Sequence, residues 1–346
     1  MNKLIQIRRA LALTLLPGFS ALLGSAAHAA TEVPKELRIG FQKSSVNLTL
    51  LKYRKSLEQR LPGVKVTWFE FTAGPPLLEA LAAGSVDFGT TGDTPPIFAQ
   101  SAGSNLVYVG AEPAKPDNSA ILVKPDSPIK TLADLKGKKV ALQKGSSAHY
   151  LTLRAVQQGG LQWTDITPVY LAPADARAAF ERGSVDAWVI WDPYWAAVEK
   201  SLAPRVLSTS RGLVSNHSYY LASRSYADKY PAVVQLLFEE LTRSDELVRH
   251  NRKEAVRIIA ESTGIDQPTV DVYLGRRPRS PVVYLTAAMG AEQQGIADSF
   301  FRQNLIPKQI RVKDIFWQPA TATATAAPAV NPQGKQLAPQ VTANGL

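Results

Sequence analysis

The 346-residue chain has no cysteine, two methionines and four scattered histidines. No disulfide can form, and neither a thiolate nucleophile nor a thiolate metal ligand is available. With so few histidines no structural metal site and no cofactor are expected. Lysine and arginine are spread out rather than clustered, so the footprint of a nucleic-acid-binding protein is missing. No GxSxG elbow is present. Ser147 and His149 suggest a nucleophile and a base, but a third triad member is not evident, and two residues apart at a helix start they point different ways. Hydrolysis is not expected. Long apolar runs are also missing, except near the start. There Lys3, Arg8 and Arg9 precede an apolar segment, 10–23, and the small residues of Ala27-His28-Ala29 follow. This is the order of an export signal, with the mature chain starting at Ala30. Pro17, Gly18 and the short run argue against a membrane anchor. The formal net charge is +10, and three of those charges sit in 1–29, which leaves +7. A modest positive charge suits an anionic ligand.

What is present begins with 138–151. Val140-Ala141-Leu142 reads as a short buried strand, Gly145 as a sharp turn, and Ser146 or Ser147 as the N-cap of a helix carrying Tyr150, Leu153 and Val156 on one face. A serine-rich turn at a helix start offers backbone amides, hydroxyls and the positive end of the helix dipole. About 100 residues upstream, Arg38 to Ser45 repeats the same order of apolar strand, Gln-Lys and Ser-Ser. A second pair recurs at a similar offset: Gly84-Ser85-Val86-Asp87 and Gly183-Ser184-Val185-Asp186. Two matched features in one order point to a duplicated α/β lobe. Asp87 and Asp186 belong to this repeat, which favours a turn or sheet-end role over an acid pair.

The chain divides accordingly into a signal peptide (1–29), the first part of lobe 1 (30–119), lobe 2 (120–214), a return to lobe 1 with C-terminal helices (215–318), and a disordered low-complexity tail (319–346). Residues 112–117 read as a loop. Residues 231–262 read as strongly helical with a break at Ser244 and Asp245. Three turns, 42–45, 90–94 and 145–147, lie at the C-terminal ends of strands, where open α/β sheets bind ligands. Asp93 or Thr94 is expected to cap a helix that has Pro95 in its first turn. In Trp188-Val189-Ile190-Trp191-Asp192-Pro193-Tyr194-Trp195, Trp188 and Trp195 read as core. Trp191, at a strand end beside Asp192-Pro193, reads as a cleft wall.

From residue 37 to 319 the chain resembles the periplasmic aliphatic sulfonate-binding proteins of ABC importers. The resemblance rests on FQKSS, EFTAGPPLLEALAAGSVDFGTTGDTPPIFAQ, LVYVGAEPAKP, SPIKTLADLKGKKVALQKGSS, LAPADARAAFERGSVDAWVIWDPYW and IFWQP. Taurine-, nitrate- and pyrimidine-precursor-binding relatives share parts of the TGD and WDP words. The resemblance implies an α/β type II periplasmic-binding fold, two lobes joined by two crossovers with the ligand clamped between them. It implies that a sulfonate head meets Gln42, Gly92, Asp93, Ser146 and Ser147, with Trp191 and Asp192 across the cleft. Ser44 stands where relatives commonly hold glycine. The partners implied are an alkanesulfonate and the permease subunits of an inner-membrane importer, with the protein a periplasmic monomer serving sulfur acquisition. The rival from another class is an enzyme of the pyrimidine-synthase type on the same fold.

Overall fold

The computed structural model describes residues 32–318; the expected export signal and low-complexity tail lie outside them. Two five-stranded sheets carry the fold. In the first, β1 (Glu36–Phe41), β2 (Lys65–Glu70) and β3 (Phe88–Gly92) are parallel in the order β2-β1-β3. Beside β3 lie the antiparallel β10 (Ser218–Ser223) and then β4 (Leu106–Glu112). In the second, β6 (Lys139–Leu142), β7 (Thr167–Tyr170) and β8 (Ala187–Trp191) run parallel in the order β7-β6-β8. The antiparallel β5 (Ser119–Val123) and then β9 (Arg205–Thr209) complete it. The two orders correspond strand for strand. In each sheet the antiparallel strand next to the parallel trio, β10 or β5, is the one on which the chain arrives from the other sheet. The crossings fall between Glu112 and Ser119 and between Thr209 and Ser218.

The sequence repeat is built into this correspondence. Asp87 accepts from Arg38 N at 2.8 Å, Nε at 2.9 Å and Nη2 at 2.7 Å. Asp186 accepts from Lys139 N at 2.7 Å. Each carboxylate ties the turn before one strand to the start of its neighbour, at the ends of the sheets away from the ligand turns. α1 (Val46–Arg54), α3 (Gly74–Ala82) and α4 (Pro95–Ser101) follow the parallel strands of the first sheet, with the short α2 (Ser56–Arg60) after α1. α5 (Ser147–Gln158), α6 (Pro173–Glu181) and α7 (Tyr194–Leu202) follow those of the second. Strands β4, β5 and β8 are buried on both faces, which is why they read as continuous apolar runs. Trp188 and Ile190 share one face with Phe180 of α6, and Val189 faces α5 with Leu151.

After β10 come α8 (Arg224–Lys229), α9 (Pro231–His250), α10 (Arg252–Thr263), α11 (Gln267–Arg276) and α12 (Ala287–Arg302). The expected break at Ser244 and Asp245 does not occur. Ser244 Oγ donates to the Glu240 carbonyl within the helix at 3.0 Å, and buried Asp245 accepts from Arg277 and from Ser280 N. The helix ends instead at Asn251, whose side chain caps α10. β4 also runs on to Glu112 rather than ending before it, because Glu112 pairs with Ser218 on β10. α10 and α11 bury apolar side chains against Val46 and Leu50 of α1 and Ala196 of α7, so they bridge the two lobes. Among the described residues no helix is long and apolar enough to cross a membrane.

Candidate functional site

A cleft of about 70 Å³ opens where the C-terminal ends of both sheets face each other. Six of the seven expected contact residues line it: Gln42, Gly92, Ser146, Ser147, Trp191 and Asp192. Asp93 does not. Its carboxylate lies buried behind the lining and accepts from the Thr94 hydroxyl at 2.8 Å, and it caps no helix. Burial pushes the Asp93 carboxyl up, and hydrogen bonding by Ser147 and Thr94 opposes the shift.

The two repeated turns reach the cleft from opposite lobes. In the first, Gln42 N donates to Ser45 Oγ at 3.1 Å, and Gln42 Nε2 to the Thr90 carbonyl at 3.0 Å. In the second, Ser146 Oγ donates to the Gln143 carbonyl at 2.8 Å. Ser45 and Ser146 hold the N-cap positions of α1 and α5, as expected for Ser146, but neither side chain bonds to the helix amides. The same holds at α3 and α4. By contrast α8, α10, α11 and α12 carry side-chain caps from Ser223, Asn251, Asp266 and Thr286. The starts of α1, α3, α4 and α5 thus keep their positive ends open toward the cleft. α1 and α5 also offer amides, whereas α3 and α4 begin with prolines and offer mainly their dipoles.

The lobes touch where the second of these turns meets the 90–94 turn and α4. A Cβ placed on Gly92 would lie 2.0 Å from Ser147 Oγ and 3.2 Å from Ser147 Cβ. Glycine is required there by the approach of the facing lobe rather than by its own backbone. Gly145 has φ +71, and the Phe98 ring of lobe 1 would be 3.3 Å from a Cβ there. His149 sits beside this contact, enclosed by Phe98 and Phe300 of lobe 1 and Trp163 and Tyr170 of lobe 2, with ring centroids 5.0–5.8 Å away. Its Nδ1 accepts from Gly145 N at 3.2 Å. Burial, with Lys144 adding repulsion, lowers the His149 pKa to about 3. The imidazole is turned into the aromatic cluster and is not a base for Ser147.

Trp191 lines the opposite wall, edge-on to Tyr194, while Trp188 and Trp195 are buried. Asp192 Oδ1 accepts from Ala196 N at 3.0 Å and so closes the first turn of α7. Its carboxylate also accepts from Arg276 Nη1 at 3.1 and 3.3 Å. Burial pushes the Asp192 carboxyl up to about 7, against the pull of Arg276 and the Ala196 amide. Arg276 stacks 3.5 Å above the Trp195 ring and also pairs with Glu199.

Other lining residues escape a reading of the sequence. Lys115 and Glu112, in the stretch expected to be a loop, form a buried pair at 3.0 Å, and Lys115 Nζ donates to Ser218 Oγ at 2.8 Å. Glu112 accepts from Tyr220 Oη at 2.6 Å and Asn47 Nδ2 at 2.9 Å. Burial opposes its charge, but Lys115 and Arg277 outweigh it and hold the carboxyl below its ordinary value. Arg277 and Tyr273 arrive from the end of α11. The Glu-x-x-Lys spacing and the Arg-Arg pair were the only local signals, and neither has a direction until the chain folds. Lys43, next to Gln42, is turned away and donates to the Thr263 carbonyl at 2.8 Å.

Residues 62–255 match the family described as NMT1/THI5 like. A chain from Escherichia coli (strain K12) named as an aliphatic sulfonates-binding protein is 49% identical, covering 84% of this chain and 91% of its own length. The crystal structure of the periplasmic aliphatic sulphonate binding protein from Escherichia coli is 47% identical, with TM-score 0.77 over 90% of this chain and 98% of that one. The alkanesulfonate-binding protein from Xanthomonas axonopodis pv. citri, bound to MOPS, is 45% identical, with TM-score 0.79 over 83% of this chain and 99% of that one. A desulfurization enzyme shares the fold alone, at 15% identity and TM-score 0.58 over 83% of this chain and 97% of that one. The two-lobed α/β architecture with paired crossovers is therefore shared with solved binding proteins, and the chain belongs to the NMT1/THI5-like family.

Proposed function

We propose that this protein is a periplasmic receptor that clamps an alkanesulfonate between its lobes and delivers it, as a monomer, to the permease of an inner-membrane ABC importer. The observation that carries the reading is the convergence on one cleft of the two repeated serine turns, 42–45 from one lobe and 145–147 from the other, with open helix starts behind them, beside the 90–94 turn whose Gly92 meets Ser147. A sulfonate has three acceptor oxygens, one negative charge and no proton to give, so it matches neutral donors on both sides of a closing cleft. Each charge-assisted hydrogen bond contributes about 1.5–3 kcal/mol, and four or more, less desolvation, reach the ~8 kcal/mol of a micromolar site. The head is assigned to the Gln42, Gly92 and Ser146-Ser147 turns, with Asp93 positioning Ser147 from behind, and the chain to Trp191 and Asp192.

Calorimetry with ethanesulfonate, taurine, nitrate and sulfate tests the reading. Micromolar binding of the sulfonate with nitrate and sulfate far weaker is expected; a preference for nitrate would transfer the protein to another branch of the family. The receptor reading, as opposed to an enzyme, is favoured by the orientation of His149 away from Ser147. Sulfite or any other product released from the bound sulfonate during incubation would overturn it.

A further inference from the structure

We propose that Tyr273 and Arg277, at the C-terminal end of α11, form a second polar subsite that takes a neutral oxygen on the ligand's carbon chain. The subsite makes the cleft selective for hydroxy- or ether-bearing alkanesulfonates over plain ones. This rests on the sulfonate reading of the cleft.

Tyr273 is 3% exposed and lines the cleft, and its hydroxyl has no hydrogen-bond partner among the described residues. Its ring is locked among Val46, Leu50, Ala196 and Ile259, so the hydroxyl cannot swing out to solvent. A buried hydroxyl without a partner opposes folding. It is tolerated where a ligand supplies the missing acceptor. Burial, with the Asp192 carboxylate adding to it, keeps the phenol protonated, and Arg277 only partly opposes this, so the group is a donor.

Arg277 is the neighbour that makes this a subsite rather than a lone hydroxyl. Its Nη1 donates to Asp245 Oδ1 and its Nη2 to Asn47 Oδ1, each at 3.0 Å. A guanidinium has five N–H donors, so this buried, cleft-lining side chain keeps donors in reserve. Charge decides what they take. Arg277 and Lys115 are already matched by Asp245 and Glu112, so a second anion would arrive where no positive charge is spare. A neutral oxygen needs only the donors. The cleft is small, about 70 Å³, so the second oxygen is placed a short way along the carbon chain from the sulfur.

Calorimetry with three probes tests the subsite: 2-hydroxyethanesulfonate, 1-propanesulfonate, in which a methyl replaces the hydroxyl, and sulfoacetate, which carries a second charge. The wild-type protein is expected to bind 2-hydroxyethanesulfonate at least tenfold tighter than 1-propanesulfonate, about 1.4 kcal/mol. Tyr273→Phe should bring that ratio to within about threefold, with thermal melting confirming the fold. Ser147→Ala should weaken both and keep the ratio. A wild-type ratio near one overturns the proposal whether or not Tyr273→Phe folds. So does a ratio that survives in folded Tyr273→Phe, or tighter binding of sulfoacetate than of 2-hydroxyethanesulfonate. If none of the three binds, the sulfonate reading itself fails; if 1-propanesulfonate binds but no preference appears, only the subsite fails.

Discussion

Gly92→Ala is the sharpest test of how the lobes meet. The new Cβ would lie 2.0 Å from Ser147 Oγ, well inside van der Waals contact. Two responses are available. If the Ser147 hydroxyl rotates away, it leaves both Asp93 and the ligand, at about 1–3 kcal/mol for a lost hydrogen bond in a buried site. The Cβ-to-Cβ approach of 3.2 Å still demands a small shift. If the hydroxyl stays, the lobes must part, at the about 1–3 kcal/mol typical of overpacking. Either way the loss of ligand affinity should be about 1–3 kcal/mol, roughly 5- to 150-fold. The assay is a double-mutant cycle by calorimetry with ethanesulfonate on wild type, Gly92→Ala, Ser147→Ala and the pair. Ser147→Ala alone should cost about ten- to hundredfold. In that background the clashing oxygen is gone, so Gly92→Ala should cost about 1 kcal/mol less than it does in the wild type. Equal penalties in both backgrounds, or an unchanged affinity in Gly92→Ala, would refute the interlobe contact.

His149 carries a pH signature. Its folded pKa of about 3 lies below the ordinary 6.5, so between those values the unfolded chain binds the extra proton. Its contribution to stability is full above pH 6.5 and is lost as pH falls toward 3, by up to about 1.4 kcal/mol per unit. Melting curves from pH 7 to 4 should fall less steeply for His149→Phe than for wild type; parallel curves would mean the ring is not buried neutral. Arg276→Met strips the partner from buried Asp192 and should destabilise by about 3–5 kcal/mol, lowering the melting temperature by about 6–20 °C. A drop under 2 °C would show that the pair is not desolvated. Saturating ethanesulfonate should reduce the radius of gyration by small-angle scattering, since the two crossovers let the lobes hinge on the ligand; an unchanged radius would count against closure on binding.

Much of this molecule is written locally. Apolar strands, serine turns and proline-led helix starts depend on neighbours a few residues apart, so the repeat of Arg38–Ser45 in 139–147 was enough to imply two matching lobes. Their contact turns follow, because a βα unit always puts its turn at the C-terminal end of its strand. The sequence could not say how those turns would be used. Whether the Ser146 hydroxyl bonds to the amides of α5 or donates to the Gln143 carbonyl depends on its side-chain rotamer. The side of the helix on which His149 falls mattered only once Phe98 and Phe300 of the other lobe closed over it. Asp93 went behind the lining instead of into it because Ser147 of the facing lobe approaches Gly92. Lys115, Glu112, Tyr273 and Arg277 were the least legible. They become neighbours only after two crossovers and a return helix bring residues 112–115 and 273–277 together. A charge in a loop reads as solvated until the rest of the fold removes its water and supplies its partner. By itself the sequence determined the lobes, their order and the turns that face each other. Tertiary structure alone decided which polar groups around the cleft are occupied and which remain for a ligand, because that depends on distances between segments far apart in the chain.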